Sequence, residues 1–368
     1  MPSEFQAPAN VTLRPPVASL GPLGWLRANL FNSWPNTILT LLAVWLIVRV
    51  VPPVFNWAIL DAVTGQQSAA ACRAPGAGAC WSFLSEKWRF ILFGLYPPDQ
   101  HWRPALVVLL IVTMLIVSCD RRLWGWALAA IWLTGLAVVF LLMAGGIFGL
   151  PYVDDTRWGG LPLTLIISVV GMVLGFPIAV ALALGRRSEL PVVRALCIGF
   201  IELVRGVPLI SVLFMASVMI PLFLPRDVTI DKLLRAEVGY ALFFSAYLAE
   251  AIRGGLQAIP RGQYEAADSL GLTYWQKTSK IILPQALKLV IAPMVNNFIG
   301  QFKDTSLVII IGIFDLMMTA KTALSDPAWL GFYKEAYLFI AVIYFGFCFF
   351  MSRYSLWLER HLHRGQRR

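Results

Sequence analysis

Catalytic side chains are scarce in this sequence. Histidine occurs only at positions 101, 361 and 363 of 368 residues. No H-E-x-x-H sets two of them on one helical face, and no nucleophile motif accompanies them, so a membrane enzyme is a poor reading. G-x-x-x-x-G-K-[ST] is missing too, which leaves the chain without a phosphate cradle for ATP. Charge is the next shortage. Asp, Glu, Lys and Arg make up 14% of the residues, against about a quarter in a soluble domain. A soluble globular protein is excluded.

Apolar residues take the place of the missing charges. They make up 58% of the chain, and several blocks reach the ~20 residues that a spanning helix needs. Eight spans are expected, near 37–52, 105–118, 123–148, 161–184, 195–224, 238–256, 286–311 and 336–357. The fold class is therefore all-α and polytopic. The fifth span contains Gly206 and Pro208, which predict a break. WRFILFGLY at 88–96 is too short to cross and is expected in the interface, with Trp88 and Tyr96 near the headgroups.

The net charge of +10 does not form one patch. Its bases fall in alternate loops: Arg121-Arg122, Arg186-Arg187-Arg194, the 253–280 loop and the tail from Arg360 to Arg368. That pattern fits membrane orientation rather than nucleic acid, and it sets both termini in the cytoplasm. The first thirty residues lack an apolar run ending in a small-residue cleavage site. The first span is thus expected to act as an uncleaved targeting signal.

Two parts differ in character. Residues 1–150 hold three spans and a long outer loop. Residues 161–360 hold five spans and most of the intramembrane charge, and 361–368 form a basic tail. Cys72 and Cys80 bracket CRAPGAGAC in the outer loop, where an oxidising compartment permits a disulfide; two unpaired thiols are the alternative. Cys119, Cys197 and Cys348 read as small apolar filler.

The polar stretch EAADSLGLTYWQKTSKIILPQA at 265–286 lies between two spans. Glu265 sits near the positive N-terminal end of a short helix over 262–270. Ala266 and Ala267 allow a second surface to approach the backbone. Gly271 stands where a left-handed cap is wanted, and Thr273-x-x-Gln276 has capping-box spacing. Pro284 suits the first turn of the following span.

Glu265-Ala266-Ala267, Gly271 and Ile281-x-Leu283-Pro284 resemble the EAA motif of bacterial ABC importer permeases. AYLAEAIRGGLQAIPRGQYEAA at 246–267, IELVRGVPLI at 201–210 and QFKDTSL at 301–307 are similar to the polar-amino-acid branch of that family. The three extra N-terminal spans and the loop ending in GACW resemble the M-type permeases of general L-amino acid importers. The resemblance implies a type I importer core over 161–360, with a coupling loop at 257–285. Through Glu265, Ala266, Ala267 and Gly271 that loop would dock on a separate ATPase. It also implies a bacterial inner-membrane subunit that is not itself an enzyme and binds no cofactor. ATP and Mg would sit on two copies of the partner ATPase. A second, similar permease and a periplasmic amino-acid-binding protein would complete the system.

A lone ion in hydrocarbon costs several kcal/mol, so each intramembrane charge calls for a partner or a cavity. Glu202 and Arg205 are three residues apart, on one helical face, and either pair together or leave Arg205 for a substrate carboxylate. Glu250 and Arg253 repeat that spacing as a structural pair. Asn296, Asn297, Gln301, Lys303, Asp304, Thr305 and Ser306 suit an interrupted helix beside a water-filled path; a Lys303–Asp304 brace between helices is the alternative. Two other functions remain in view: an ion-coupled secondary carrier, which leaves the EAA hairpin unexplained, and a structural permease half without its own substrate site.

Overall fold

A computed structural model of the chain describes residues 21–65, 68–225 and 228–363. Among these, the only extended pairings are isolated bridges, Val63 with Cys80 and Gly160 with Asp315. The fold is all-α, as the apolar runs predict. The chain divides into two compact units, residues 1–82 and 83–368. This boundary lies earlier than the expected one near 150, because the second and third spans pack on each other and the second packs on the fourth.

In the first unit, α1 (Trp34–Phe55) continues through a π-helical turn to Leu60. None of its residues is buried. Further on, Cys72 and Cys80 are joined in a disulfide, with their Cα atoms 5.5 Å apart. Val63 donates its N–H to the carbonyl of Ala79 at 2.8 Å, which fixes the closed loop against the preceding chain.

The larger unit opens with α2 (Trp81–Phe93), which holds the WRFILF run. Protein, not the headgroup layer, covers much of this segment. Phe83 and Ile91 are fully buried, Phe83 packs on Trp329 with ring centroids 5.8 Å apart, and Lys87 pairs with Asp326 at 2.7 Å. Tyr96 departs from expectation. It is buried, donates to the carbonyl of Met143 at 3.0 Å, and lies under the guanidinium of Arg103 at 5.5 Å. Trp88 remains exposed.

The second and third spans are α3 (Trp102–Ser118) and α4 (Trp126–Ala144). Arg103, at the head of α3, is completely buried. It donates to the carbonyls of Leu142 at 2.6 Å and Pro151 at 2.9 Å and to Gln100 Oε1 at 2.5 Å. The last carbonyls of a helix have no partner inside it, and its C-terminus carries partial negative charge. Arg103 answers both needs at the end of α4.

The centre of the unit is α5 (Gly160–Gly185) against α8 (Lys232–Ala258). Gly171, Gly175, Ala179 and Ala183 recur every fourth position of α5 and are all buried. In a membrane, such a stripe of small residues lets two helix backbones approach and gain dispersion contact. A Cβ at Gly175 would come within 2.6 Å of the Phe244 ring.

The fifth span breaks where Gly206 and Pro208 predict. α6 (Pro191–Gly206) and α7 (Leu209–Phe223) meet at 104°. Next come α9 (Arg261–Ser269) and α10 (Tyr274–Leu289), then α11 (Ile291–Asp304), which runs on as 3-10 helix to Ile311. Pro284 does not open the seventh span. It lies inside α10, just after a π-helical stretch, Thr278–Ile282, which absorbs the missing N–H and the bulk of the ring. The chain turns 68° between Leu289 and Ile291, where α11 begins.

α12 (Leu316–Ala323) precedes α13 (Tyr333–His363), the eighth span. Residues 364–368 of the expected basic tail and the first twenty residues lie outside the described residues. By length and composition, α1 with its extension, α4, α5 and α13 can each cross a membrane, as can the two bent pairs. α3 is apolar but shorter, at 17 residues. α8 has length to spare, at 27 residues, but carries charge near both ends.

Candidate functional site

Two features stand out in the larger unit, a hairpin at one end of the helices and a small polar cavity within them. α9 and α10 form the hairpin. Gly271 between them has φ +69°, the left-handed conformation that a side chain resists. Thr273 completes the capping box: its N–H donates to Gln276 Oε1 at 3.0 Å, and its hydroxyl accepts from the Gln276 N–H at 3.4 Å. Gln285 ties the second arm to Gln263 on the first at 3.1 Å.

The EAA residues divide by face. Ala267 is buried against the protein, while Glu265 and Ala266 are exposed. Around them the hairpin presents large apolar side chains to the outside: Leu270 is 74% exposed and Trp275 71%. A polar loop has no reason of its own to display them, and such a patch marks an interaction surface. Sequence reading passed over Leu270, Tyr274 and Trp275 because the motif drew attention to the small residues.

The root of the hairpin is continuous with the core. Ile259, Ile282 and Ala286 belong to one buried cluster with Ala179 and Ala183 of α5, Ile201 of α6, and Leu248, Ile252 and Leu256 of α8. Arg187 donates to the Leu256 carbonyl at 2.7 Å and to the Tyr264 hydroxyl at 2.9 Å. Tyr264 in turn donates to the Leu256 carbonyl at 3.2 Å.

Beside this root lies an ion network. Glu250 receives Arg253 at 2.8 Å, Arg186 at 2.8 Å and Arg205 at 3.8 Å. Glu202 pairs with Arg186 at 2.9 Å, so the expected Glu202–Arg205 pair is replaced by a pair between different helices. Arg186 follows the last residue of α5 and reaches both neighbours, which a spacing rule within one helix cannot detect.

The cavity has a volume of about 360 Å³ and is lined by Leu209, Tyr240, Phe243, Phe244, Tyr247, Asn296, Asn297, Gly300, Gln301 and Asp304. Four expected residues, Asn296, Asn297, Gln301 and Asp304, are thus brought together. Lys303 is exposed and faces elsewhere, and no Lys303–Asp304 brace to another helix is seen among the described residues. Thr305 and Ser306 donate to the carbonyls of Phe302 and Lys303 at 2.8 Å each, and Thr305 also meets the Tyr344 hydroxyl of α13 at 3.4 Å. Arg205 stands outside the lining, its guanidinium 5.4 Å from the Tyr247 ring.

The aromatic wall comes from α8 and was missed. Its signal was present, since Tyr240, Phe243, Phe244 and Tyr247 fall at i, i+3, i+4 and i+7, one face of a helix. Behind the cavity the Tyr240 hydroxyl donates to the backbone carbonyl of Gln301. Gln301 is 4% exposed, yet both polar atoms of its side chain lack a partner among the described residues, as does Glu237 Oε1. Buried polar groups left unpaired are costly and therefore rare. All three residues crowd Gly171, where a Cβ would come within 2.6 Å of Gln301 Nε2 and 3.2 Å of Glu237 Oε1. Chemically, the lining offers amide donors and acceptors, one carboxylate and aromatic faces. Among the described residues, no group of His, Cys, Asp or Glu is placed to hold a metal ion.

Comparison with known proteins identifies the family. The model of the family "Binding-protein-dependent transport system inner membrane component" matches residues 171–364. The chain is 51% identical to the inner membrane amino-acid ABC transporter permease protein YhdY of Escherichia coli, over 93% of each chain. It is 40% identical to the glutamate/glutamine/aspartate/asparagine transport system permease protein BztC of Rhodobacter capsulatus, over 96% of each. A crystal structure of an amino acid ABC transporter with histidines is similar at 32% identity and a TM-score of 0.49, covering 55% of this chain and 92% of that one. Spanning helices and two full-length relatives that are named transport permeases thus agree, and the chain belongs to the family of binding-protein-dependent transport system inner membrane components, as a membrane subunit of an ABC importer.

Proposed function

We infer that this chain supplies one half of the path of an ATP-driven amino-acid importer and takes its drive from a separate ATPase through the α9–α10 hairpin. One observation carries the reading. A single helix, α8, bears both the aromatic wall of the cavity at 240–247 and the residues Leu248, Ile252 and Leu256 of the cluster on which the hairpin is rooted. Sixteen residues separate Tyr240 from Leu256, about 24 Å of helix. A displacement of the hairpin therefore has a rigid route to the cavity.

The exposed face of Glu265, Ala266, Leu270 and Trp275 is where the ATPase docks, and ATP and Mg belong to that partner. Two ATPase copies, a second similar permease and a periplasmic amino-acid-binding protein make up the rest. The termini and the hairpin lie in the cytoplasm, in keeping with the distribution of Arg and Lys. Residues 161–360 are the permease core and the preceding spans an extension.

The substrate class is a range of L-amino acids. The cavity can take what these share: an ammonium group toward Asp304 and the aromatic faces, and a carboxylate toward the amides of Asn296, Asn297 and Gln301. Names of the relatives that span acids and amides support such tolerance. The test is uptake by the whole complex, purified from its membranes with its ATPase and reconstituted in proteoliposomes. Asp304→Asn and Asn297→Ala should raise KM for uptake, whereas Trp275→Ala should lower the coupled ATPase rate with KM unchanged. Unaltered KM in both cavity variants would reduce this chain to a structural half, and uptake that persists without any ATPase would make it a secondary carrier.

A further inference from the structure

A second and larger cavity, of about 800 Å³, lies away from the polar one. Its walls come from α3, α4, α5, α10, α11 and α13, so it sits where two of the extension spans meet the permease core. Trp132, Met172, Phe298, Phe347 and Met351 are among its lining residues, and the surface is almost wholly apolar. Trp124, Val173 and Phe350 in the lining are exposed, so the cavity opens on the side of the bundle that meets lipid.

Apart from Ser168 of α5, its polar groups gather toward the end that bears the hairpin. There Trp124 Nε1 donates to the Ser118 carbonyl at 2.9 Å, and the Tyr354 hydroxyl to the Cys119 carbonyl at 3.3 Å. Lys288 is the one ionisable group of full charge in the lining, and no carboxylate joins it. It is exposed, and no hydrogen bond or ion pair is found for it among the described residues. A long apolar groove that ends in an unpaired cation beside a tryptophan and a tyrosine has the chemistry of a glycerophospholipid site. Basic pockets between spanning helices hold anionic headgroups, and Trp and Tyr settle at headgroup depth.

We propose that this groove holds one anionic phospholipid, its acyl chains between α4, α5 and α13 and its phosphate on Lys288. The lipid fills the seam between extension and core, which the apolar side chains alone leave open. A protein helix is the less fitting occupant, because the groove offers it no partner for polar flanks except one positive charge.

The experiment uses the complete transporter reconstituted in discs of equal parts phosphatidylcholine and phosphatidylglycerol, washed in mild detergent, with retained lipid counted by mass spectrometry. Wild type should retain phosphatidylglycerol over phosphatidylcholine, and Lys288→Gln should lower that preference about fivefold, the factor one lysine near an anionic surface is worth. Lys280→Gln, an exposed cation outside the groove, should leave the preference unchanged. Leu128→Trp, which narrows the groove, should reduce retention of both lipids. Equal retention of the two lipids by wild type, an equal loss in Lys280→Gln, or crosslinking of a protein segment into the groove from position 128 would overturn the proposal.

Discussion

Arg186 and Glu250 face each other at 2.8 Å, joining the end of α5 to α8 beside the root of the hairpin. Among the described residues Glu250 is the acid in ion-pair contact with Arg205 and Arg253, while Arg186 is shared with Glu202. Replacing Glu250 by Gln leaves guanidinium groups crowded without their counter-charge. The expected loss is about 2 kcal/mol, between the values for exposed and buried pairs, read as a lower melting temperature of the purified complex. Arg186→Gln in the same background should cost less than it does alone, as coupling within one network requires.

Gly171 is the point of closest approach between α5 and the buried Gln301 amide. Gly171→Ala should push Gln301 into the cavity and raise KM for uptake several-fold. Adding Gln301→Ala removes the nearest obstructing group and leaves the Tyr240 ring 2.8 Å from the added Cβ, so the double variant should regain part of the helix packing as judged by melting. If Gly171→Ala transports normally, the cavity floor is not where these residues place it.

The hairpin turn depends on φ +69° at Gly271. A β-branched residue there carries a penalty of about 1–2 kcal/mol, and no neighbouring atom lies within 4 Å of an added Cβ. The fault is therefore conformational and not steric. Gly271→Val should weaken copurification of the ATPase, whereas Gly271→Asn, which tolerates the left-handed region, should retain it. Equal loss in both variants would point to a direct contact at this position.

Much of this hairpin was legible in the sequence because its determinants are local. Gly271 and the Thr273–Gln276 box each act within four residues, as does the break at Pro208 between α6 and α7. The cavity was half legible: the polar run on α11 was visible, but the aromatic face of α8 reads as ordinary core until a polar helix is placed opposite it. The partner of Glu202 was not legible at all. Arg186 lies sixteen residues away on another helix, and only the packing of α5 on α6 and α8 brings it near. Tyr96 failed for a related reason. An interfacial aromatic and a buried one look alike until Arg103 and the end of α4 are in view.

Asp155, in the loop before α5, lies beside Asp231, the N-cap of α8. Partial burial first, and then the neighbouring Asp231, push its pKa up from 3.8 to about 6. The fold thus favours the protonated form, and the stability that this adds at low pH is lost as pH rises through about 6. Asp155→Asn should raise the melting temperature at pH 7 and have little effect at pH 4. Solvent screening of a half-exposed group keeps the gain below about 1 kcal/mol. A pH-independent difference would mean that the two carboxyl groups do not interact.

The Cys72–Cys80 bond gives the chain a chemical memory of its own insertion. A bond of this kind persists only on the oxidising side of a bacterial inner membrane. Under the orientation proposed above, a molecule that carries it has delivered the loop between its first two spans across the bilayer, and one threaded the other way keeps both thiols. The ratio of bridged to free cysteine at these two positions is a census of correctly inserted permease, readable by thiol labelling without an assay of transport.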